Sequence, residues 1–372
     1  MTSSILHITD AASSGVLAAV TTFARAQSAV PGIDVTLAYV PRHDSPSPER
    51  IQALAGDRVT VLRWSRSPRT ALPALLVRAT AELTARRDVL VHLHSSRTGM
   101  IGRAVAVLTG HRGRTVYSPH CFAFDRSDAG TLHRRVLTAL ERAGTLLGPR
   151  LLLVSETEER LAQRVLPRAR TAVLRNRVDA EQLAALPRPE AGAASGGDLR
   201  VVHVGRIAAQ KRPREFDAVA RRWHEQHPGT VFRWLGEGER DLLGPDVEVS
   251  GWLDRDALLA ELSRADVLLF TSAGEGLPIA VLEAQALGVP VLAHDVTGMA
   301  DVVIDGVTGL LRADAEGLLQ ALGELAADPA RRRALGETAR ARVRACFGLT
   351  HLAEDSFAAY RQVGVPIGEE SA

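Results

Sequence analysis

Two cations and two carboxylates carry most of the chemistry legible along the chain: Arg206, Lys211, Glu275 and Glu283. Of 45 Lys and Arg residues only Lys211 is a lysine, so a compact point charge stands where every other cation is a guanidinium. Gly205 and Arg206 follow the apolar run Val-Val-His-Val, which places Arg206 at the carboxyl end of an expected strand and Lys211 near the start of the next helix. Two cations converging there suit a diphosphate. Glu275 falls in a Gly-containing loop whose amides lie outside any helix. Glu283 falls about one and a half turns inside an apolar helix expected to start at Leu277 or Pro278 and to be capped by Gly288. A carboxylate so placed wants hydroxyl or amide partners. The plainer reading gives Glu283 to solvent or to a nearby Arg.

An alternation of short apolar strands and helices must position these groups. In the first half strands are expected at Ser4–Thr9, Val35–Val40, Val59–Leu62, Val89–Leu93, Thr115–Ser118, Leu151–Val154 and Ala172–Leu174, with helical stretches between most of them. In the second half they are expected at Leu199–Val204, Thr230–Leu235, Val247–Val249, Asp266–Phe270 and Val289–Ala293, and a last helix at Leu349–Arg361. The fold class is therefore α/β, with two doubly wound parallel sheets. The Pro, Gly and Ala-rich run within Glu181–Asp198 reads as a linker. The division is 1–180, a linker 181–198, 199–348, and a terminal helical piece 349–372. Ligands of such sheets bind beyond the carboxyl ends of the strands, and a cleft between two such domains is the expected substrate site.

The net charge of +2 hides an asymmetry: residues 1–180 hold 25 Arg against 14 Asp and Glu, and the remainder is acidic. A basic first half is compatible with an anionic acceptor or membrane surface. Nucleic acid is disfavoured, because the Arg residues are scattered and not interleaved with aromatics. Cys121 and Cys346 imply free thiols and, by default, a cytoplasmic protein, and no apolar run approaches the ~18 residues of a spanning helix.

The order Gly205-Arg206, Gln210-Lys211 and then Glu275-Gly-Leu-Pro-Ile-Ala-Val-Leu-Glu283 resembles the donor site of the retaining glycosyltransferase family 4, glycosyl transferases group 1, of GT-B architecture. The resemblance extends to Ser14-Gly15 after the first strand, Asn176-Arg177-Val178-Asp179, Gly236-Glu-Gly238, Gly251-Trp252 and Asp305-Gly-Val-Thr-Gly309. It implies two Rossmann-like domains facing a central cleft, with the last helix crossing back to the first.

The resemblance also implies roles. Arg206 and Lys211 would hold the diphosphate of a nucleotide sugar and stabilise the charge growing on it as the glycosidic bond breaks. Glu275 would meet the sugar hydroxyls, with Gly276 and Leu277 orienting sugar or phosphate, and Glu283 the ribose diol. His120 would touch the sugar from the first domain, and Ser14, Gly15, Gly205 and Trp252 complete the donor-binding set. Attack from the front face, with the departing phosphate oxygen taking the acceptor proton, needs no carboxylate nucleophile. No metal or other cofactor is required on this reading, and the donor base is UDP first and GDP second. The acceptor is a glycan, a lipid-linked precursor or a small molecule, and the location is cytoplasmic with possible peripheral contact at the inner face of the membrane. The alternatives are a catalytically silent nucleotide-sugar-binding scaffold and a sugar-nucleotide epimerase or hydrolase of the same fold. The chain departs from the family pattern at Ser13-Ser14-Gly15, at Cys121 after His120, at Arg177 and at Thr297-Gly298. His92 and His94 alternate on one strand face as two candidate metal ligands without a third, and core histidines are the preferred reading.

Overall fold

A computed structural model describes residues 3–126, 130–187 and 199–367. They fall into two compact units, the first running to Asp125 and on to Asn176, the second from Arg177 to Leu349. The chain from Thr350 onward returns to the first unit.

The first unit is a seven-stranded parallel sheet of β1 (Ser3–Thr9), β2 (Ile33–Tyr39), β3 (Val59–Arg63), β4 (Val89–His94), β5 (Thr115–Ser118), β6 (Arg150–Leu153) and β7 (Arg170–Val173). Its strand order is β3-β2-β1-β4-β5-β6-β7. The second unit holds β8 (Arg200–Val204), β9 (Val231–Leu235), β10 (Val247–Val249), β11 (Val267–Phe270), β12 (Val291–His294) and β13 (Gly309–Arg312) in the order β10-β9-β8-β11-β12-β13. Both sheets thus reverse direction after their first strand, and the crevice at the carboxyl ends of β1 and β4, or of β8 and β11, is where doubly wound folds bind ligands.

Near-continuous apolar runs make these strands, because helices cover both faces of a parallel sheet. All of β4, β11 and β12 is buried. The core of the first unit gathers Leu6, Ile8, Val91, Leu93 and Tyr117, and that of the second Val201, Phe216, Trp234, Val267 and Leu292. The closing helix Leu352–Gln362 packs on the helix Ser14–Ser28 of the first unit, as the resemblance implied.

Several expectations need correction. The helix bearing Glu283 spans Ile279–Ala286, because Pro278 has extended backbone (ψ 116°) and stands outside it as the N-cap. Gly288 follows as the left-handed residue that ends it (φ 75°). The edge strand β13 was not among the expected strands. His351 adopts φ 64°, so the final helix starts at Leu352 and not at Leu349. The expected linker opens inside the short helix Ala180–Ala184, capped by Asp179, and its part from 188 to 198 lies outside the described residues.

Candidate functional site

In the second unit the loops after β8 and β11 are zipped together. Thr271 Oγ1 donates to the Lys211 carbonyl (2.8 Å), Ala273 N to the Gln210 carbonyl (2.8 Å), and Gln210 Nε2 to the Gly274 carbonyl (3.0 Å). This stitching brings Lys211 Nζ to 2.6 Å from Glu275 Oε1, with the ammonium 4.7 Å above the centre of the Phe270 ring. Glu275 is itself buried. Two groups expected on a diphosphate and on a sugar therefore neutralise one another here.

Glycines let the backbones approach. A Cβ on Gly236 would come 2.1 Å from the Gly205 carbonyl oxygen and one on Gly238 2.2 Å from that of Ile207, so both residues of Gly236-Glu-Gly238 serve close contact with the strand end that carries Arg206. Gly298, at φ 83°, plays the same part against Gly276, whose carbonyl oxygen would lie 2.1 Å from an added Cβ. Gly205 has φ 149°, and a Cβ there would meet Lys211 Cε at 3.2 Å and His203 Nε2 at 3.8 Å. Arg206 is exposed at the end of β8. Gly276 and Leu277 are buried in the loop that leads to Pro278.

Glu283 is 4% exposed and pairs with Arg255, whose Nη1 lies 2.6 Å from Oε1. Arg255 sits in the first turn of the helix Arg255–Ser263, held by its N-cap Asp254. Burial pushes the Glu283 carboxyl up, against the pull of the Arg255 guanidinium. The plainer reading, an Arg partner, thus describes its contacts in this structure. Trp252, 63% exposed, lies two residues before that N-cap, beside Gly251.

Sequence reasoning missed Arg255 and His203. His203 is fully buried on β8 between Trp234 and Phe270, with ring centroids at 3.8 and 5.0 Å. Its Nδ1 donates to the Leu269 carbonyl (3.0 Å), which leaves Nε2 as an acceptor with no partner among the described residues. Burial, reinforced by the nearby Lys211 charge, holds its pKa well below the ordinary value. The signal was a polar residue inside the apolar run of an interior strand.

The first unit presents a separate polar cluster. His120 follows β5 with φ 56°, and Cys121 after it has φ 98°. The Glu158 carboxylate clamps this turn, accepting Cys121 N (2.8 Å) and Val154 N (3.0 Å). His94 lies behind His120 (His94 Nδ1 to His120 Nε2, 2.9 Å) and His7 behind His94 (His7 Nδ1 to His94 Nε2, 2.9 Å). The third histidine that sequence did not supply is His7: ring nitrogens of His7, His92 and His94 lie within 4.8 Å of one another, all three buried. Each of those rings already has protein partners at both nitrogens. Gly15 is exposed at the start of the helix after β1, with nothing within 4 Å of an added Cβ, and the side chain of Ser14 lies outside the described residues.

Comparison with known proteins agrees with this arrangement. The sequence profile described as Glycosyltransferase Family 4 matches residues 13–182, and that described as Glycosyl transferases group 1 matches residues 198–328. Among curated proteins, the 2-deoxystreptamine N-acetyl-D-glucosaminyltransferase of Streptomyces fradiae is 32% identical over 66% of this chain and 65% of its own length. A UDP-Gal:alpha-D-GlcNAc-diphosphoundecaprenol alpha-1,3-galactosyltransferase of Escherichia coli is 29% identical over 60% of this chain and 62% of its own. The chain thus spans just under two thirds of the length of these relatives. Among solved structures, sucrose-phosphate synthase from Thermosynechococcus elongatus superposes with a TM-score of 0.78 at 21% identity, covering 97% of this chain and 99% of that one. HepE of Anabaena, crystallised with UDP-glucose, gives 0.71 at 17% identity over 94% and 97%. At these identities the superpositions establish the fold, two Rossmann-like units of GT-B type.

Proposed function

Since the chain belongs to the family 4, group 1 glycosyltransferases, we propose that it moves a sugar from a nucleoside diphosphate sugar to an acceptor hydroxyl with retention of configuration. The observation that carries this reading is the Lys211–Glu275 pair, held where the loops after β8 and β11 meet.

In the absence of donor the ammonium rests on the Glu275 carboxylate. A diphosphate offers it more negative charge, so Lys211, with Arg206, takes the phosphates, and Glu275 turns to the sugar hydroxyls. As the bond between the anomeric carbon and the phosphate oxygen lengthens, negative charge accumulates on that oxygen. The fixed cations stabilise the transition state more than the ground state. The departing oxygen takes the proton of the attacking acceptor hydroxyl on the same face. Gly205, Gly276 and Leu277 let the backbone approach the ligand, Glu283 accepts from the ribose diol, and Trp252, Ser14 and Gly15 complete the donor-binding set. His120 meets a sugar hydroxyl. No metal is needed on this reading because Arg206 and Lys211 supply the positive charge.

UDP is the first base to test and GDP the second, and the acceptor class is a glycan, a lipid-linked precursor or a small molecule. We place the protein in the cytoplasm, with peripheral membrane contact through its basic half. Among the described residues no helix is long and apolar enough to cross a membrane. Thermal unfolding with UDP, GDP, ADP and their common sugars tests the donor site: ligand at 100 times its dissociation constant stabilises by about 2.7 kcal/mol. Absence of a shift with all of them rejects it.

A further inference from the structure

The hydrogen bonds around the histidines of the first unit admit one assignment of protons when the rings are neutral. Ser118 Oγ donates to the Leu152 carbonyl (2.7 Å), so its single proton is committed and it accepts from Nε2 of His92 (2.8 Å). The other nitrogen of His92 is then an acceptor, and it takes the Tyr360 hydroxyl (3.0 Å). The Tyr360 oxygen in turn accepts from the amide nitrogen of Gln27 (3.0 Å). Ser356 orients the same amide independently: its hydroxyl donates to the Ala353 carbonyl (2.7 Å) and therefore accepts from Gln27 Nε2 (3.0 Å). Gln27 Oε1 is thereby turned to His7, whose Nε2 must donate to it (2.8 Å).

From His7 the order propagates outward. His7 Nδ1 accepts from His94 Nε2 (2.9 Å), and His94 Nδ1 accepts from His120 Nε2 (2.9 Å). His120 Nδ1 is left with a lone pair, buried and without a partner among the described residues. Neutral rings suit the setting: burial pushes His7 and His120 down to about 4 and holds His92 and His94 well below the ordinary value. Two backbone carbonyls, which can only accept, thus dictate the tautomer of a histidine several bonds away.

We propose that Gln27, His7 and His94 are positioning residues that hold His120 in its Nε2–H tautomer, so that Nδ1 accepts a hydrogen bond from a hydroxyl of the bound sugar. The identity of the hydroxyl rests on the glycosyl-transfer reading, whereas the tautomer stands without it. An acceptor fixed in this way discriminates by chemistry: a ligand bearing a hydroxyl at that point satisfies it, and a deoxy ligand leaves it unmet. The turn carrying the ring is fixed by the Glu158 clamp, so the lone pair has a defined direction.

Long-range proton–nitrogen correlation spectra of protein labelled with 15N-histidine read the tautomer directly, with His120 assigned by its loss in His120→Asn. The expected result near neutral pH is a neutral Nε2–H ring at His120. Gln27→Leu removes the acceptor for His7 and converts His120 to a Nδ1–H ring or a mixture, while lowering kcat/KM about tenfold. Tyr360→Phe keeps the Gln27–Ser356 bond and leaves His120 unchanged. A proton on Nδ1 of wild-type His120 overturns the proposal whether or not the variants fold, and so does a Gln27→Leu spectrum identical to wild type. Titration with UDP-glucose moves the Nδ1 resonance while UDP alone does not, and equal movement with both overturns the hydroxyl contact. Failure of the glycosyl-transfer reading shows separately, as no thermal stabilisation by any nucleotide sugar with the tautomer intact.

Discussion

Lys211 Nζ lies 2.6 Å from Glu275 Oε1, joining the one lysine of the chain to the first carboxylate of the two-glutamate segment. Each satisfies the other until an anion competes. Lys211→Ala is expected to lower kcat about 10²- to 10³-fold, as for loss of a group that stabilises transition-state charge. Because Glu275 is buried, removing its partner also leaves a carboxylate unpaired, and a loss of stability of about 1–3 kcal/mol is expected. Calorimetry with UDP-sugar and a denaturant titration separate the two effects, and near-normal turnover would show that the ammonium does not serve the phosphates.

Gly298→Ala tests the backbone approach at the same loop. An added Cβ meets the Gly276 carbonyl at 2.1 Å in a left-handed conformation, so strain and collision act together. A loss of about 2–3 kcal/mol is expected by urea unfolding, together with weaker donor binding. Gly15→Ala, with nothing within 4 Å of the new methyl, should be neutral in stability and serves as the comparison.

Arg255→Met isolates the Glu283 pair. Removing the guanidinium leaves a carboxyl that burial has already raised, so Glu283 takes up its proton at higher pH and stability falls by about 2 kcal/mol at neutral pH. The carboxyl stretching band of Glu283, followed by infrared spectroscopy against Glu283→Gln, reports the protonation. An unchanged titration would mean that Arg255 contributes nothing to it.

Acid should destabilise the first unit through its histidines. The pKa values of His7 and His120 in the folded protein are about 4, below the 6.5 of an unfolded histidine, so the unfolded state binds more protons between those values. Stability is therefore complete above about pH 6.5 and lost as pH falls toward 4, at up to about 1.4 kcal/mol per pH unit for each histidine. Denaturant titrations from pH 7.5 to 4.5 check this. His7→Gln should flatten the slope, and a wild-type stability independent of pH would contradict burial of neutral rings.

Much of this architecture was legible because parallel strands buried on both faces are short apolar runs with few alternative readings. The donor loop was legible for a different reason: a lone Lys, a Gly-Arg and two spaced glutamates are rare together. The pairing of Glu283 with Arg255 was not, since a residue 28 positions away meets it only after β11 and two helices are packed. β13 was hidden because an edge strand can begin with glycine, and the helix start at Ile279 because the backbone of Pro278 decides it, not its residue type. His92 and His94 were visible as a pair. Their meaning needed His7 from β1 and Tyr360 from the far end of the chain, which only the β1–β4 register and the returning helix bring together.

That returning helix sets the order in which the protein can be finished. Ser356 and Tyr360 complete the hydrogen bonds of Gln27 and His92, groups belonging to the first strand–helix repeat and to β4. During synthesis those groups leave the ribosome long before their partners, and the whole second unit is made in between. Gln27 and His92 therefore wait, with polar groups unsealed in the interior, for partners made 329 and 268 residues later.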